Sequence, residues 1–402
     1  MSLPDEVDVV VIGAGPAGLA AATMLASAAR VLVLDRESAA GGIPRHCGHF
    51  PFGLREFRRL MRGPDYARAL VARAEASGVR IETAVNVVRL HPGPRVTVTS
   101  DKGLHEIRAR LVLLATGVRE TSRAQRLIGG EKPGGVLATG ALQGLVYLEG
   151  RRPFRRPVIL GTELVSFSAI MTCLHAGIRP VAMIEPNRSI TARWPASIYP
   201  WLKRVPVHLS TRIRRIEGHE HVERVVLEGP RGESILDTDG VIVTGRFRPE
   251  ATLLDASHLE RDPATGGPVV DNFGRCTDPS YFAAGNMLRP VETAGWSWAE
   301  GVAIGKAMRA GLEGKLPDGE RHRVRLVGDA IDWVLPHAVL AHDGAALGRF
   351  QMRVSRPVSG RLSLRVAGSE YASRRISSRP ERRITLPLPP RDGPLEIVLE
   401  ER

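Results

Sequence analysis

Apolar β-branched runs that end in glycine or an acid recur along this chain and outline its architecture. The first run, Val9–Ile12, leads through Gly13 and Gly15 into an alanine-rich stretch that predicts a helix. A second strand is predicted at residues 30–34, where four apolar residues follow Arg30, and it ends in the acid Asp35. Short apolar runs bounded by turn residues are typical of strands buried in a parallel sheet. The opening segment therefore predicts a strand–helix–strand unit.

The turn between the first strand and the helix has the pattern G-x-G-x-x-G at Gly13, Gly15 and Gly18. The first glycine permits a tight turn, the second lets the backbone approach a pyrophosphate, and the third lets the helix pack on the strand. The helix N-terminus adds unpaired N–H groups and the positive end of a dipole. Asp35 lies 17 residues beyond Gly18, close to the roughly 20 expected for the acid that accepts ribose hydroxyls. The segment therefore predicts a dinucleotide-binding site.

An alternative interpretation of residues 9–29 is a membrane-spanning helix, because this stretch carries no charged residue. The cluster of Gly13, Gly15, Pro16 and Gly18 favours a phosphate loop over a continuous helix. The first six residues also contain acids rather than a basic leader. We therefore expect a cytoplasmic protein without a transmembrane segment, or one that is at most peripheral at the inner face of the membrane.

A second, altered copy of the unit occupies the middle of the chain. Residues 156–161 predict a buried strand, a helix follows and is capped by Gly177, and residues 180–185 predict the next strand, which again ends in an acid. Glu163 and Ser166 stand where the pattern would place its second and third glycines. A carboxylate at the second position faces a pyrophosphate, and like charges there weaken binding. We expect this half to keep the fold and to have lost or changed its nucleotide.

Further strand patterns complete the fold prediction. Residues 111–117 and 239–246 predict strands that end in Thr-Gly, and residues 279–286 predict a strand that ends in Gly-Asn, with a helix beyond it at 299–307. From about residue 321 the pattern changes to short alternating runs. The fold class is therefore α/β, with two Rossmann-like dinucleotide-binding domains, the second inserted in the first, and a small C-terminal antiparallel β domain.

Composition excludes some functional classes. The chain has 402 residues and a formal net charge of +13, and the excess is mostly arginine spread along the sequence. We therefore predict no nucleic-acid binding, while a docking face for an acidic partner stays open. The three cysteines, Cys47, Cys173 and Cys276, form no C-x-x-C pair. This spacing excludes a paired-cysteine redox centre and fits a reducing compartment.

Together these motifs resemble the FAD-dependent pyridine nucleotide-disulfide oxidoreductase superfamily over about residues 5–315. The resemblance implies FAD as the cofactor, with the double glycine at 41–42 crossing close to the flavin. Asn286 departs from the aspartate of the family pattern, although an amide still donates or accepts a hydrogen bond. The cofactor-binding positions carried over are Gly13, Gly15, Gly18, Asp35, Arg36, Gly42, Ala115, Thr116, Gly117, Gly285 and Asn286.

The resemblance also implies the domain boundaries. We expect a discontinuous FAD-binding domain at residues 1–120 and 247–320. Residues 121–246 would form an NAD(P)-binding-like domain with a degraded glycine motif, and residues 321–402 the C-terminal β domain.

A narrower resemblance rests on residues 41–49, residues 291–295 and the β tail. These stretches resemble the α-type flavoprotein subunits of heteromeric opine oxidase, hydrogen cyanide synthase and dye-linked proline dehydrogenase complexes. In such complexes a β-type flavoprotein dehydrogenase subunit oxidises a C–N bond, and the α-type chain relays the electrons. A small [2Fe–2S] ferredoxin-like subunit often accompanies them. The changes at Glu163 and Ser166 agree with electrons that arrive from a partner rather than from NAD(P)H.

Residues next to the double glycine are the candidates for chemistry. If the family geometry holds, Arg45 stabilises negative charge on reduced flavin, and His46 shuttles protons near neutral pH. Cys47, which lies between two histidines, is a candidate low-pKa thiolate. The alternative is that these side chains only pack the flavin edge or a subunit interface. No fourth ligand accompanies His46, Cys47 and His49, so we predict no metal site.

The helix beyond the Gly-Asn turn is expected to point its N-terminus at the flavin pyrimidine and to stabilise the anionic reduced ring. Glu300 is assigned to cofactor binding, with a purely structural capping role as the alternative. Trp296 and Trp298 either stack at the ring edge or are buried at a contact.

The leading functional hypothesis is an FAD-dependent oxidoreductase, the electron-relaying subunit of a heteromeric amine, imino-acid or opine dehydrogenase. One alternative is a stand-alone NAD(P)H-dependent flavin reductase. The other is a non-catalytic scaffold subunit whose nucleotide site serves stability.

Overall fold

The computed structural model describes residues 3–340, 344–390 and 393–402. The chain divides into two compact units. The first contains the chain up to Gly42, Ala67–Val118 and the chain from Pro249 onwards, and the second contains Ile43–Tyr66 and Arg119–Arg248.

The first unit is built on a five-stranded parallel sheet. Its strand order is Tyr281–Ala283, Leu111–Leu114, Val9–Ile12, Val31–Leu34 and Arg80–Glu82. The central strands are apolar throughout because both faces of the sheet are buried. A three-stranded antiparallel sheet accompanies it, formed by Asn86–His91, Arg95–Ser100 and Gly103–Arg108.

Two helices of the first unit pack on each other through small residues. They are Pro16–Leu25 and Ala294–Leu312. A Cβ atom added to Gly301 would lie 2.2 Å from the carbonyl oxygen of Ala17. The backbones therefore approach as closely as glycine allows, and the predicted helix at 299–307 is confirmed as part of a longer one.

The second unit repeats the parallel arrangement. Its main sheet has the order Val136–Ala138, Val241–Val243, Val158–Leu160, Ala182–Glu185 and Val207–Leu209. The helix Leu164–His175 follows the central strand. Gly177 caps this helix with a φ of +69°, as predicted. The N–H groups of Gly177 and Ile178 donate to the carbonyls of Leu174 and Cys173.

Shorter elements complete the second unit. A four-stranded sheet has the order Gly232–Asp237, Arg224–Gly229, Arg212–Glu217 and Gly129–Gly130. The helical elements are the 3₁₀ turn Ile43–His46, the helix Thr139–Gln143, the π-helical turn Gly144–Leu148, the 3₁₀ turn Ala196–Ile198 and the helix Tyr199–Leu202.

The C-terminal segment of the first unit is all β. One sheet has the order Ala338–Val339, His322–Val327, Leu395–Glu401, Val358–Val366 and Ser369–Ser378, and a second has the order Ile331–Leu335, Arg349–Val354 and Ile384–Pro387. The predicted antiparallel pairing is confirmed, with one correction. His322–Val327 and Leu395–Glu401 pair in parallel, because they come from opposite ends of the segment rather than from a hairpin.

The remaining elements are the helix Gly63–Ala76, the short strands Val118–Arg119 and Arg248–Pro249, the helix Thr252–Asp255 and the 3₁₀ turn Gly285–Met287. The division into units assigns Ile43–Tyr66 to the second unit, whereas the sequence placed these residues in the FAD-binding part. The three-domain boundaries stay a prediction. None of the helices in the described ranges combines the length and apolar content needed to span a bilayer.

Candidate functional site

The three glycines of the first turn differ in what surrounds them. Gly13 has a φ of +108°, and a Cβ there would lie 2.4 Å from the carbonyl oxygen of Ala115. A Cβ on Gly18 would lie 2.0 Å from the carbonyl oxygen of Gly13. A Cβ on Gly15 would meet no atom within 4 Å. The outer glycines therefore serve packing, and the middle one leaves room for a ligand at the helix N-terminus.

Asp35 is buried at the end of the second strand and braces this turn. Its two carboxylate oxygens accept the N–H groups of Ala14 at 2.7 Å and Glu37 at 2.9 Å. Gly41 also donates its N–H to the carbonyl of Ala14 at 2.9 Å. Gly42, with a φ of +62°, packs so closely that a Cβ would lie 2.8 Å from the Cα of Gly15. Glycine at position 42 is thus required by its close approach to Gly15 and by its positive φ.

A second strip of predicted residues follows the strand Leu111–Leu114. Ala115 donates its N–H to Ile12 at 2.9 Å, so the chain continues the sheet for one more residue. The hydroxyl of Thr116 donates to the carbonyl of Glu250 at 2.9 Å, and the N–H of Glu250 donates to Gly117 at 2.9 Å.

Glu250 also fixes Arg36. Its carboxylate lies 3.3 Å from the Arg36 guanidinium, which is half exposed. Glu250 was not identified from the sequence, because it belongs to no motif and acts on residues more than a hundred positions earlier.

Asn286 closes the loop that precedes the long helix Ala294–Leu312. Its side-chain oxygen accepts the N–H of Glu292 at 2.7 Å, and its side-chain nitrogen donates to the carbonyl of the same residue at 3.1 Å. An aspartate is unable to make the second bond, because a carboxylate at neutral pH only accepts. The departure from the family pattern at Asn286 therefore has a structural reason.

Glu300 is buried and both of its oxygens are used within the protein. One accepts from the N–H of Gly285 at 2.9 Å and from Arg289 at 2.8 Å, and the other accepts from Arg289 at 3.0 Å. The Arg289 side chain is 2% exposed and also donates to Gln351 of the C-terminal β segment at 3.1 Å. We propose that Glu300 serves a cofactor by positioning Gly285 rather than by touching it.

The residues of the first unit fit the expected FAD. The open space at Gly15 and the helix N-terminus suit its pyrophosphate, and Asp35 lies where a ribose is expected. Gly285, with a φ of +71°, and Asn286 form the second turn of the site. These assignments stay predictions for each residue, and the arrangement as a whole defines a dinucleotide-binding fold.

Arg45, His46 and Cys47 lie in or directly after the 3₁₀ turn Ile43–His46. A ring nitrogen of His46 lies 3.2 Å from the carbonyl oxygen of Gly140, and the buried Cys47 thiol donates to Gln143 at 3.4 Å. Burial, with a smaller contribution from Glu120, raises the pKa of Cys47 to about 12. The thiol is therefore protonated at neutral pH, which corrects the low-pKa thiolate considered from the sequence.

One ring nitrogen of His46 and both ring nitrogens of His49 have partners other than Cys47. Those of His49 lie 2.9 Å from the carbonyl of Phe50 and 3.0 Å from the hydroxyl of Ser168. Within the described ranges, no three His, Cys, Asp or Glu side chains form a group that suits a metal ion. Arg45 is half-buried, and its role at the flavin stays a prediction.

The second unit reproduces the first turn with different side chains. Gly161 matches Gly13, with a φ of +114° and a Cβ position 2.6 Å from the Thr244 hydroxyl. Glu163 takes the place of the middle glycine at the start of the helix Leu164–His175. Its carboxylate accepts the N–H of Arg246 at 3.1 Å and covers Gly245, whose added Cβ would lie 2.2 Å from it.

Burial and hydrogen bonds shift or satisfy the charged groups around Glu163. Burial raises the pKa of Glu163, while the N–H of Arg246 and the charge of Arg126 lower it. Burial also lowers the pKa of Arg126 to about 10. The acid at the end of the next strand, Glu185, is buried and accepts hydrogen bonds from Thr162, Thr191 and the N–H of Asn187. Both acids are therefore satisfied by the protein itself.

Comparison with known proteins gives the class. Residues 7–301 match the family described as pyridine nucleotide-disulphide oxidoreductase. The chain belongs to this family and is an FAD-binding oxidoreductase chain. The fold is shared with thioredoxin reductase from T. acidophilum, with a TM-score of 0.66 and 21% identity over 77% of this chain and 99% of that chain.

Two curated relatives are named as subunits of opine oxidase. The protein from Rhizobium meliloti (strain 1021) is 34% identical over 181 residues, which cover 44% of this chain and 38% of the relative. The protein from Agrobacterium tumefaciens (strain Ach5) is 27% identical over 359 residues, which cover 78% of this chain and 65% of the relative. The matches thus span less than two thirds of both relatives.

Proposed function

We propose that this chain is the electron-relaying FAD subunit of a heteromeric dehydrogenase that oxidises C–N bonds in amines, imino acids or opines. Bound FAD supplies the ability to take up electrons in pairs and to pass them on singly. Electrons reach it from a partner subunit, and the second unit of the chain takes no NAD(P)H.

The observation that carries the proposal is the Glu163 carboxylate. A dinucleotide places its pyrophosphate at the N-terminus of the helix after the glycine turn, where Gly15 of the first unit leaves open space. In the second unit Glu163 stands at the start of this helix, and its carboxylate accepts the N–H of Arg246 and lies against Gly245. A pyrophosphate there would lose the N–H of Arg246 to a competing acceptor and would meet a like charge.

The side chains of the first unit support a relay role rather than substrate chemistry. Asn286 and Glu300 set the path of the Gly285 loop, and the helix Ala294–Leu312 directs its N-terminus toward the same region. A helix N-terminus stabilises negative charge that develops nearby, without a proton donor. The two relatives named as opine oxidase subunits support a heteromeric complex.

The partners follow from the proposed chemistry. Oxidation of a C–N single bond to C=N releases two electrons and two protons, which a β-type flavoprotein dehydrogenase subunit would collect at the substrate. A [2Fe–2S] ferredoxin-like subunit takes up one electron at a time and suits the exit from this chain. We expect both to associate with it.

The proposal is tested by anaerobic titration of the purified full chain with NADH and then with NADPH. The flavin absorbance is monitored during each titration. We expect no bleaching by either nucleotide and complete bleaching by dithionite. Glu163→Gly is expected to gain NADH binding, whereas Leu164→Ala, a change at the exposed next residue, is the matched control and should behave as the wild type.

Stoichiometric bleaching of the wild type within seconds would overturn the proposal in favour of a stand-alone reductase. Isolation of the chain without flavin, together with failure to bind added FAD, would favour the scaffold subunit. The partner requirement is tested by adding a candidate β-type subunit together with its amine substrate. Bleaching is expected only when both are present.

A further inference from the structure

Four large apolar side chains are exposed on one short segment of the second unit. Trp194, Ile198, Trp201 and Leu202 are 81%, 45%, 79% and 57% exposed. The segment consists of the turn Ala196–Ile198 and the helix Tyr199–Leu202, together with the residues just before them. We call these four side chains the tryptophan patch.

The opposite side of the segment is anchored in the core of the second unit. Tyr199 packs against Phe167 with ring centroids 6.0 Å apart, and Pro200 is buried. Ala196 also contacts this core. The segment is therefore apolar on two sides, and only one of them is covered. A helix that is apolar all round is normally buried, so the uncovered side indicates a contact outside the chain.

The stretch of chain that carries the patch is basic. Residues 186–216 contain no Asp or Glu. Three of their seven basic side chains, Arg212, Arg214 and Arg215, form ion pairs with Glu228, Glu233 and Glu217. Among the residues that the structure describes, no carboxylate forms an ion pair with the other four, which are all exposed: Arg188, Arg193, Lys203 and Arg204.

We propose that the tryptophan patch docks this chain on an anionic lipid surface. Tryptophan prefers the boundary between headgroups and acyl chains, and basic side chains around it bind lipid phosphates. Arg193 precedes Trp194, and Lys203 follows Leu202, so cations flank the apolar side chains at both ends. The lysine and the absence of acids from residues 186–216 fit a lipid surface better than a protein interface, whose core is depleted in lysine. The proposal does not depend on the redox role of the chain.

Sedimentation of the full chain with lipid vesicles tests the proposal. The vesicles are pure phosphatidylcholine, or phosphatidylcholine with phosphatidylglycerol in equal amounts, at low and at high salt. We expect binding to the anionic vesicles only, weakened by salt, together with a blue shift of tryptophan emission. Each basic side chain near an anionic surface contributes about fivefold to partitioning, so Arg193→Gln with Lys203→Gln is expected to weaken binding about 25-fold.

The second variant pair removes the apolar contact. Trp194→Ser with Trp201→Ser should lower vesicle binding at least tenfold and should leave the flavin absorbance unchanged. The matched control is Leu104→Ser with Ile235→Ser, which removes two side chains that are 75% and 64% exposed outside the patch. We expect this control to bind as the wild type.

Two outcomes would overturn the proposal. One is absence of wild-type binding to the anionic vesicles, or equal binding by the tryptophan and control variants. The other is loss of a purified heteromeric complex in the tryptophan variant while vesicle binding is unchanged, which would make the patch a subunit interface.

Discussion

Replacement of Gly15 by alanine is expected to weaken FAD binding while leaving the fold intact. Gly15 has a φ of −81° and a ψ of −177°, a conformation open to any residue. An added Cβ would meet no atom within 4 Å. The apoprotein should therefore accept the methyl group, which then occupies the space into which a pyrophosphate must come.

The two expected effects differ in size. For the apoprotein, a Gly→Ala change at a compatible position stabilises by about 0.4–1 kcal/mol through the unfolded state. The lower preference for alanine at a helix N-cap opposes this gain by a similar amount. The net change should stay within about 1 kcal/mol. For FAD, one extra methyl group in a close contact costs about 1–3 kcal/mol, so affinity should fall about 5- to 150-fold.

Gly18→Ala is the matched control, because its Cβ would lie 2.0 Å from the carbonyl oxygen of Gly13. That contact involves two backbones, so we expect the control to lower apoprotein stability. The measurements are urea unfolding of the apoproteins and FAD binding followed by quenching of flavin fluorescence. The reasoning is refuted if Gly15→Ala binds FAD as tightly as the wild type, or destabilises the apoprotein as much as Gly18→Ala.

Three further changes test other parts of the molecule. Arg289→Met leaves the buried Glu300 carboxylate without its cation and should lower the free energy of unfolding, measured with urea, by about 3–5 kcal/mol. A loss under about 1 kcal/mol would contradict the role of this pair. Burial raises the pKa of Cys47 to about 12, so Cys47 should react with iodoacetamide very slowly at pH 7 and about tenfold faster for each pH unit above it. Rapid labelling at pH 7, detected by mass spectrometry, would show an accessible thiolate. Asn286→Asp loses the donor to the carbonyl of Glu292, which should destabilise the folded protein by about 1–2 kcal/mol, lower its thermal midpoint and make it release FAD faster on dilution. An unchanged release rate would argue against this loop as a support for the cofactor.

The parts predicted correctly from the sequence are those where function depends on the local backbone. The strand Val9–Ile12 is predicted from a continuous apolar run, and Gly13 from a turn that only glycine makes easily. Gly177 likewise ends a helix through its own positive φ. In each case the cause lies within a few residues of the effect, so a single sequence carries the signal.

The parts that sequence reasoning missed depend on distant side chains. Arg289 reaches Glu300 eleven positions later and Gln351 in the C-terminal segment, and neither spacing belongs to a motif. The environment of Cys47 was misjudged for the same reason, because Gln143 and Glu120 are remote in the sequence. Burial and long-range pairing decide a pKa, and neither is visible in the order of residues.

The two glycine turns show which positions the fold itself constrains. Gly13 and Gly161 have nearly the same φ, +108° and +114°, and a Cβ at either would contact the neighbouring strand. The turn therefore needs glycine at this position whether or not a ligand binds. The middle position has no such constraint, since Gly15 and Glu163 both begin a helix without strain. A glycine is needed there only if a pyrophosphate comes close. The glutamate in the second turn is thus compatible with the fold and unfavourable for a dinucleotide, so Glu163→Gly is the change that tests the proposed route of electron entry.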